Sequence, residues 1–232
     1  RSTLSSSSAA SDVYKRQLTN NDFSYRKAII RVDFNVPLDE NFKVTDSTRI
    51  LAAKESIDYI LNHGGSCVLI SHLGRPKGKD AAFSLYHIVN KVSEILGIPV
   101  LFCDDCVGPI AETATAQLKP GEVILMENLR FYPEETAGDF NFALGLSKLG
   151  DFYVNDAFGT AHRAHASTTI MAQFFDEDKY FGKLLEKEVK AVQKLLEKGE
   201  KPIGKFISIN SITFKVIGVH KFVQGGGFGD DG

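Results

Sequence analysis

Cysteine occurs only three times in the 232 residues, an odd number, which excludes the paired disulfide framework of a small secreted protein and suits a reducing compartment. No apolar run approaches the roughly 20 residues that a membrane span requires. The chain also lacks, at its start, the basic segment and apolar core of a secretory leader. Charge of one sign is equally scarce: the formal net charge is -2, so there is neither a global basic field for nucleic acid nor the acidic excess of a disordered tail. Any charge-based recognition must be local. These absences together lead us to expect a soluble, cytoplasmic protein with no nucleic-acid and no membrane partner; that it is a monomer is a separate expectation, which composition does not supply.

What is present is the composition of an ordinary globular protein, long enough to bury a substantial core. Residues 1–17, RSTLSSSSAASDVYKRQ, are rich in Ser and Ala without apolar periodicity, and we place them outside the fold as adapter-derived sequence. From Lys27 onward, short apolar runs alternate with segments of helical period. The predicted strands are Ala28 to Val32, Ser66 to Ile70, Val100 to Phe102, Glu122 to Met126 and Phe152 to Val154. Helices are expected from Ser47 to Leu61, Ser84 to Leu96, Val107 to Gln117, Asp139 to Leu149 and Gly182 to Glu197. Alternating strands and helices of this length specify a three-layer α/β/α, Rossmann-like domain around a mostly parallel sheet. After Pro202 the character changes to a β-branched, glycine-terminated tail with room for a strand or two but not for a second domain.

In an open parallel sheet, ligands bind beyond the carboxyl ends of the strands, where loops converge and helix N-termini point. Polar residues gather at those ends here: Asp33 and Asn35 after the first strand, His72 and Arg75 after the second, Asn128 and Arg130 after the fourth, and Asn155, Asp156, His162 and Arg163 after the fifth. Arginine forks from several loops on one rim would suit a small, multiply charged anion. Solvated loop arginines fit the spacing equally well.

The wording of the loops goes further. RVDFNVPL at Arg31 to Leu38, SHLGRPKG at Ser71 to Gly78, ENLRF at Glu127 to Phe131 and NDAFGTAHRAH at Asn155 to His165 resemble, in order and spacing, the motifs of the phosphoglycerate kinases. The resemblance covers Leu18 to Pro202. It implies phosphoryl transfer between ATP and the carboxylate of 3-phosphoglycerate, giving 1,3-bisphosphoglycerate, with an N-terminal domain for the acid and a C-terminal domain for Mg-ATP or Mg-ADP. It also implies roles: Asp33 and Asn35 at the carboxylate and hydroxyl end of the substrate, with Arg49, His72, Arg75, Arg130 and Arg163 as a basic patch and His162 beside them. By the same resemblance Arg49 would lie close to the transferred group, where a cation offsets charge developing on its oxygens.

Several other patterns carry less. GRPKGK at Gly74 to Lys79 is too short for a phosphate-cradling G-x-x-x-x-G-K-[ST] loop. Cys103 and Cys106 form a C-x-x-C without the second pair of a zinc site, and His162 with His165 lacks a third ligand, so no metal site is assigned. The terminal GGGFGDDG precedes no helix. The glycine-glycine-alanine-lysine segment that the family places after its interdomain helix is absent, and KPIGKFISINSITFKV stands there instead. The expected organisation is therefore 1–17 outside the fold, 18–181 as the phosphoglycerate-binding domain, 182–202 as the interdomain helix, and 203–232 as an aberrant tail in place of the nucleotide domain, with no cofactor-binding residues of its own. Such a chain would be the substrate-binding half of a phosphoglycerate kinase, inactive alone. The alternative is a non-catalytic anion-binding module that keeps only the phosphoglycerate site.

Overall fold

A strand covered on both faces must be apolar at every position, because successive side chains point to opposite sides. That is the pattern of the inner strands in the computed structural model, which describes residues 16–19, 21–157, 164–187, 206–209 and 212–215. The strands are β1 (Arg16–Gln17), β2 (Lys27–Arg31), β3 (Ser66–Ile70), β4 (Val100–Cys103), β5 (Val123–Met126), β6 (Phe152–Asn155) and β7 (Lys179–Phe181). They form one sheet in the order β1-β7-β6-β2-β3-β5-β4, and every neighbouring pair is parallel. Arg16 and Gln17, which the sequence reading left outside the domain, pair with Tyr180 and Phe181, so the sheet gains a short outermost strand.

Alternation along the strands divides the core into two layers. Ala28, Ile30, Leu69, Leu125 and Val154 face the helices α1 (Thr48–Asn62) and α2 (Val89–Leu96). Ile29, Val68, Ile70, Met126 and Tyr153 face the opposite layer. There the cover is α3 (Pro109–Ala116), α5 (Phe140–Ser147) and the helical turns over 166–175, while α4 (Pro133–Ala137) links the β5 loop to α5. This is the expected three-layer α/β/α arrangement. In α1, Ile50, Ile57 and Ile60 are wholly buried at helical spacing, each contributing about 1.5–3 kcal/mol of apolar burial. None of the described helices is long and apolar enough to cross a membrane.

Helix ends follow local chemistry. Asp46 Oδ1 accepts from the Thr48 amide (2.9 Å) and hydroxyl (2.6 Å) ahead of α1, while Ser47 makes no capping bond. Asp139 caps α5 through Phe142 N (2.8 Å). The helix expected from Ser84 begins instead as a 3-10 turn, Leu85–Ile88, before α2. Its physical cause is Glu127, whose carboxylate accepts from Ser84 Oγ (2.6 Å) and Leu85 N (2.8 Å) and pins the first turn to the β5 end. Gly97, at φ 76°, stops α2 in the left-handed conformation that glycine adopts freely.

The helix expected over Gly182 to Glu197 is described for 183–187, and its remainder lies outside the described residues. In the tail, β8 (Phe206–Ile209) pairs antiparallel with β9 (Ile212–Lys215) as a separate two-stranded sheet. What positions the site is the strand order. From β2 the chain moves to β3 on one side, and it later returns to β6 on the other. The crevice of an open sheet therefore opens at the carboxyl ends of β2, β3 and β6.

Candidate functional site

Three loops meet at that crevice because buried amide and hydroxyl side chains tie them together. Ser71 Oγ donates to Val32 O (2.9 Å) and accepts from Phe34 N (2.9 Å), joining the β2 loop to the end of β3. Asn35 Oδ1 accepts from Gly74 N (2.8 Å), fixing the same two loops further out. Asn128, wholly buried after β5, accepts from Leu73 N (3.2 Å) and Arg130 N (3.0 Å) and donates to Leu73 O (2.8 Å) and Phe83 O (2.9 Å). Gly74 has φ 63°, and a Cβ there would stand 2.3 Å from the Phe83 ring, so only glycine fits this turn. Asn128 and Asn35 thus set loop geometry.

On this frame stand the charged groups. Arg49, in the first turn of α1, forms an ion pair with Asp33. The other carboxylate oxygen, Asp33 Oδ1, is buried without a hydrogen-bond partner among the described residues. Arg130 Nη1 reaches Gly74 O at 3.4 Å. His72 is 5% exposed and is held neutral: burial first, then the nearby Arg31, Arg130, Arg49 and His165, push its pKa down to about 2. A neutral imidazole surrounded by arginines marks a cationic rim, with Asp33 as the carboxylate paired at its mouth.

Of the residues expected at the site, Asp33, Asn35, Arg49, His72 and Arg130 converge on this rim. Arg75 stands exposed on the β3 loop. His162 and Arg163 lie outside the described residues. Asn155 and Asp156 face inward rather than lining the rim. Asn155 Oδ1 accepts from Ala157 N (3.1 Å), and Asp156 accepts from Ser56 Oγ (2.6 Å) and from Leu184 N (3.1 Å) and Leu185 N (3.4 Å) at the start of the helix over 183–187. Burial pushes the Asp156 carboxyl up to about 7.

Sequence reasoning passed over Arg31, Ser167 and Glu135. Arg31 is a fully buried arginine that donates to Ser167 Oγ (2.9 Å), to Val32 O and to His72 Nδ1 (3.1 Å). An arginine closing the apolar run KAII was the available signal. Two hollows on the described surface, one along the outer face of α1 and one over Lys77 to Ala81, each draw on a single segment and include none of the expected site residues. Among the described residues no three His, Cys, Asp or Glu side chains cluster as metal ligands. Cys103 and Cys106 are free and buried, and burial raises both thiols, which makes them poor nucleophiles.

Comparison with known proteins gives this geometry a lineage. The family model described as phosphoglycerate kinase matches residues 18–215, running past Pro202. A phosphoglycerate kinase of Porphyromonas gingivalis is 47% identical over 219 residues, covering 84% of this chain and 52% of that protein. The chloroplastic phosphoglycerate kinase 1 of Arabidopsis thaliana is 44% identical over 199 residues, covering 86% and 41%. The crystal structure of phosphoglycerate kinase from Pyrococcus horikoshii superposes with a TM-score of 0.73 at 30% identity, over 82% of this chain and 47% of that one. The chain spans about half the length of the curated relatives it matches. With the family model matched over most of the chain and the parallel α/β fold in agreement, this chain belongs to the phosphoglycerate kinase family.

Proposed function

We propose that this chain forms the phosphoglycerate-binding half of a glycolytic phosphoglycerate kinase, and that by itself it binds 3-phosphoglycerate without turning it over. The observation that carries this reading is the rim. Arg49 and Arg130 converge beside a neutral His72, and Asp33 leaves one buried carboxylate oxygen in need of a donor. A ligand that fits must bring negative charge for the arginines and a hydroxyl for Asp33 Oδ1, and 3-phosphoglycerate has both. Asn35, Arg75, His162 and Arg163 complete the proposed contact set, and 1,3-bisphosphoglycerate is the product held by the same groups.

In the proposed reaction a carboxylate oxygen of the acid attacks the terminal phosphorus of ATP, and the bond to the bridging oxygen of ADP breaks. The work of this chain is to bind and orient the acid, to replace its water by arginine hydrogen bonds, and to set Arg49 where charge develops. Mg-ATP supplies the phosphoryl group. The described residues offer neither a phosphate-cradling loop nor a cluster of metal-binding carboxylates, so its binding is assigned to a complementary nucleotide half and no step is routed through these side chains. The monomeric state and cytosolic setting belong to the same proposal, and the three buried free thiols suit a reducing compartment.

Isothermal titration at low ionic strength tests it directly. The chain should take up 3-phosphoglycerate and give no heat with Mg-ATP, and Arg130→Ala should weaken the acid by roughly ten- to a hundredfold, the scale of one charge-assisted contact. Unchanged affinity in Arg130→Ala refutes the pocket.

A further inference from the structure

We infer that Arg31 is a positioning residue for the proposed substrate site: its guanidinium fixes His72 in the neutral tautomer that carries its proton on Nε2, so that the ring presents a hydrogen-bond donor to the bound anion. The inference rests on the function proposed above and adds to it a residue that does not touch the ligand.

The argument is one of donor and acceptor direction. A guanidinium donates and cannot accept. Arg31 Nη2 lies 3.1 Å from His72 Nδ1, so Nδ1 must be the acceptor and the single proton of a neutral ring must sit on Nε2. The direction is maintained further back. Glu135, wholly buried, accepts from Ser167 Oγ (2.5 Å) and Ser167 N (2.9 Å), so the Ser167 hydroxyl hydrogen is committed and its lone pair receives Arg31 Nε (2.9 Å). Arg31 Nη1 donates to Val32 O. These two anchors hold the guanidinium plane and aim Nη2 at the imidazole.

The groups that face His72 are the cations Arg31, Arg49 and Arg130 together with His165. A second proton on the ring is thereby opposed from every side. His72 Nε2 makes no hydrogen bond to the described residues, so it is the nitrogen left to meet a ligand. A hydroxyl or amide in place of Arg31 could accept as readily as donate and would let the tautomer drift. Arginine removes that choice, which is a chemical reason for so costly a burial.

Long-range proton–nitrogen correlation spectra of the full chain, labelled with nitrogen-15 in histidine, read the tautomer without any ligand. The expected spectrum shows His72 with a bare Nδ1 and a protonated Nε2 near neutral pH, persisting in mild acid. A protonated Nδ1 overturns the inference. In Arg31→Lys, which keeps the charge and loses the fork, the tautomers should mix and the affinity for 3-phosphoglycerate should fall roughly tenfold. The same change in a His72→Ala background should cost nothing more, and an equal loss in both backgrounds would show a merely structural role and overturn the assignment. Should Arg31→Lys fail to fold, Ser167→Ala releases the guanidinium with a smaller change, and an unaltered tautomer and affinity there would overturn it equally. Failure of the unmutated chain to bind 3-phosphoglycerate would refute the proposed function and with it the ligand-facing role, whereas the ligand-free spectrum separately decides whether Arg31 sets the tautomer.

Discussion

Replacing His72 by Gln and, separately, Asp156 by Asn should give two variants whose stabilities respond to pH in opposite directions. In the folded protein His72 titrates at about 2 instead of 6.5, chiefly through burial and then through Arg31, Arg130 and Arg49. The unfolded chain therefore binds one more proton than the folded one below about pH 6.5, and stability rises with pH over that range. Asp156 titrates at about 7 instead of 3.8, because burial outweighs its bonds from Ser56, Leu185 and Leu184. For this group the folded chain holds the extra proton, so stability falls as pH climbs from about 4 to about 7. Each slope is about 1.4 kcal/mol per pH unit, and between about pH 4 and pH 6.5 they cancel. The unmutated chain should be nearly flat there as far as these two groups are concerned. His72→Gln unmasks the falling slope and Asp156→Asn the rising one, each by roughly 2–3 kcal/mol across two pH units. Urea unfolding followed by circular dichroism at several pH values gives both slopes. Every other group titrates alike in the two variants, so their difference isolates this pair. Parallel profiles would refute the buried, neutral state assigned to both residues.

Two further outcomes test the frame beneath the site. Asn128→Ala removes four hydrogen bonds from a buried position and leaves the Leu73 and Arg130 amides without their acceptor, so it should cost roughly 2–4 kcal/mol in urea unfolding and weaken 3-phosphoglycerate by loosening Arg130. Native stability in that variant would show that the loops are held by something else. Gly138→Ala places a Cβ 2.5 Å from Ala164 O at φ 67°, ahead of the turn that carries Ser167, and should cost about 1–3 kcal/mol, read as a lowered melting temperature.

The strands were legible because burial on both faces leaves a nearly unbroken apolar run, as in Ala28–Ile29–Ile30 or Val68–Leu69–Ile70. The shorter pieces were not. α4 has five residues and cannot display a helical period, and β7 is three residues beginning with a lysine. The 3-10 start before α2 was hidden for another reason: it depends on Glu127, more than forty positions away in the chain. Residues that brace from a distance share this difficulty. Glu135 and Ser167 meet Arg31 only after the sheet has brought β2 beside the turn over 166–170, and no local pattern in the sequence announces that meeting. The rim residues were named through the resemblance of whole loops, since polar residues at strand ends are equally compatible with plain solvation.

The Asp33–Arg49 pair shows why the rim can be both ordered and ready for a ligand. Arg49 is 43% exposed along its side chain and Asp33 15%, so their attraction is screened and worth about 0–1 kcal/mol. An arginine held by so small an energy is biased toward Asp33 while the site is empty, yet a doubly charged phosphate can draw it away at little cost. Asp33 loses little in that exchange on the proposed reading, because the substrate hydroxyl arrives as a donor for the oxygen that lacks one. A buried, strongly coupled pair in the same place would have resisted the ligand by several kcal/mol, whereas a solitary Arg49 at the mouth of the site would have had to be ordered by the substrate itself.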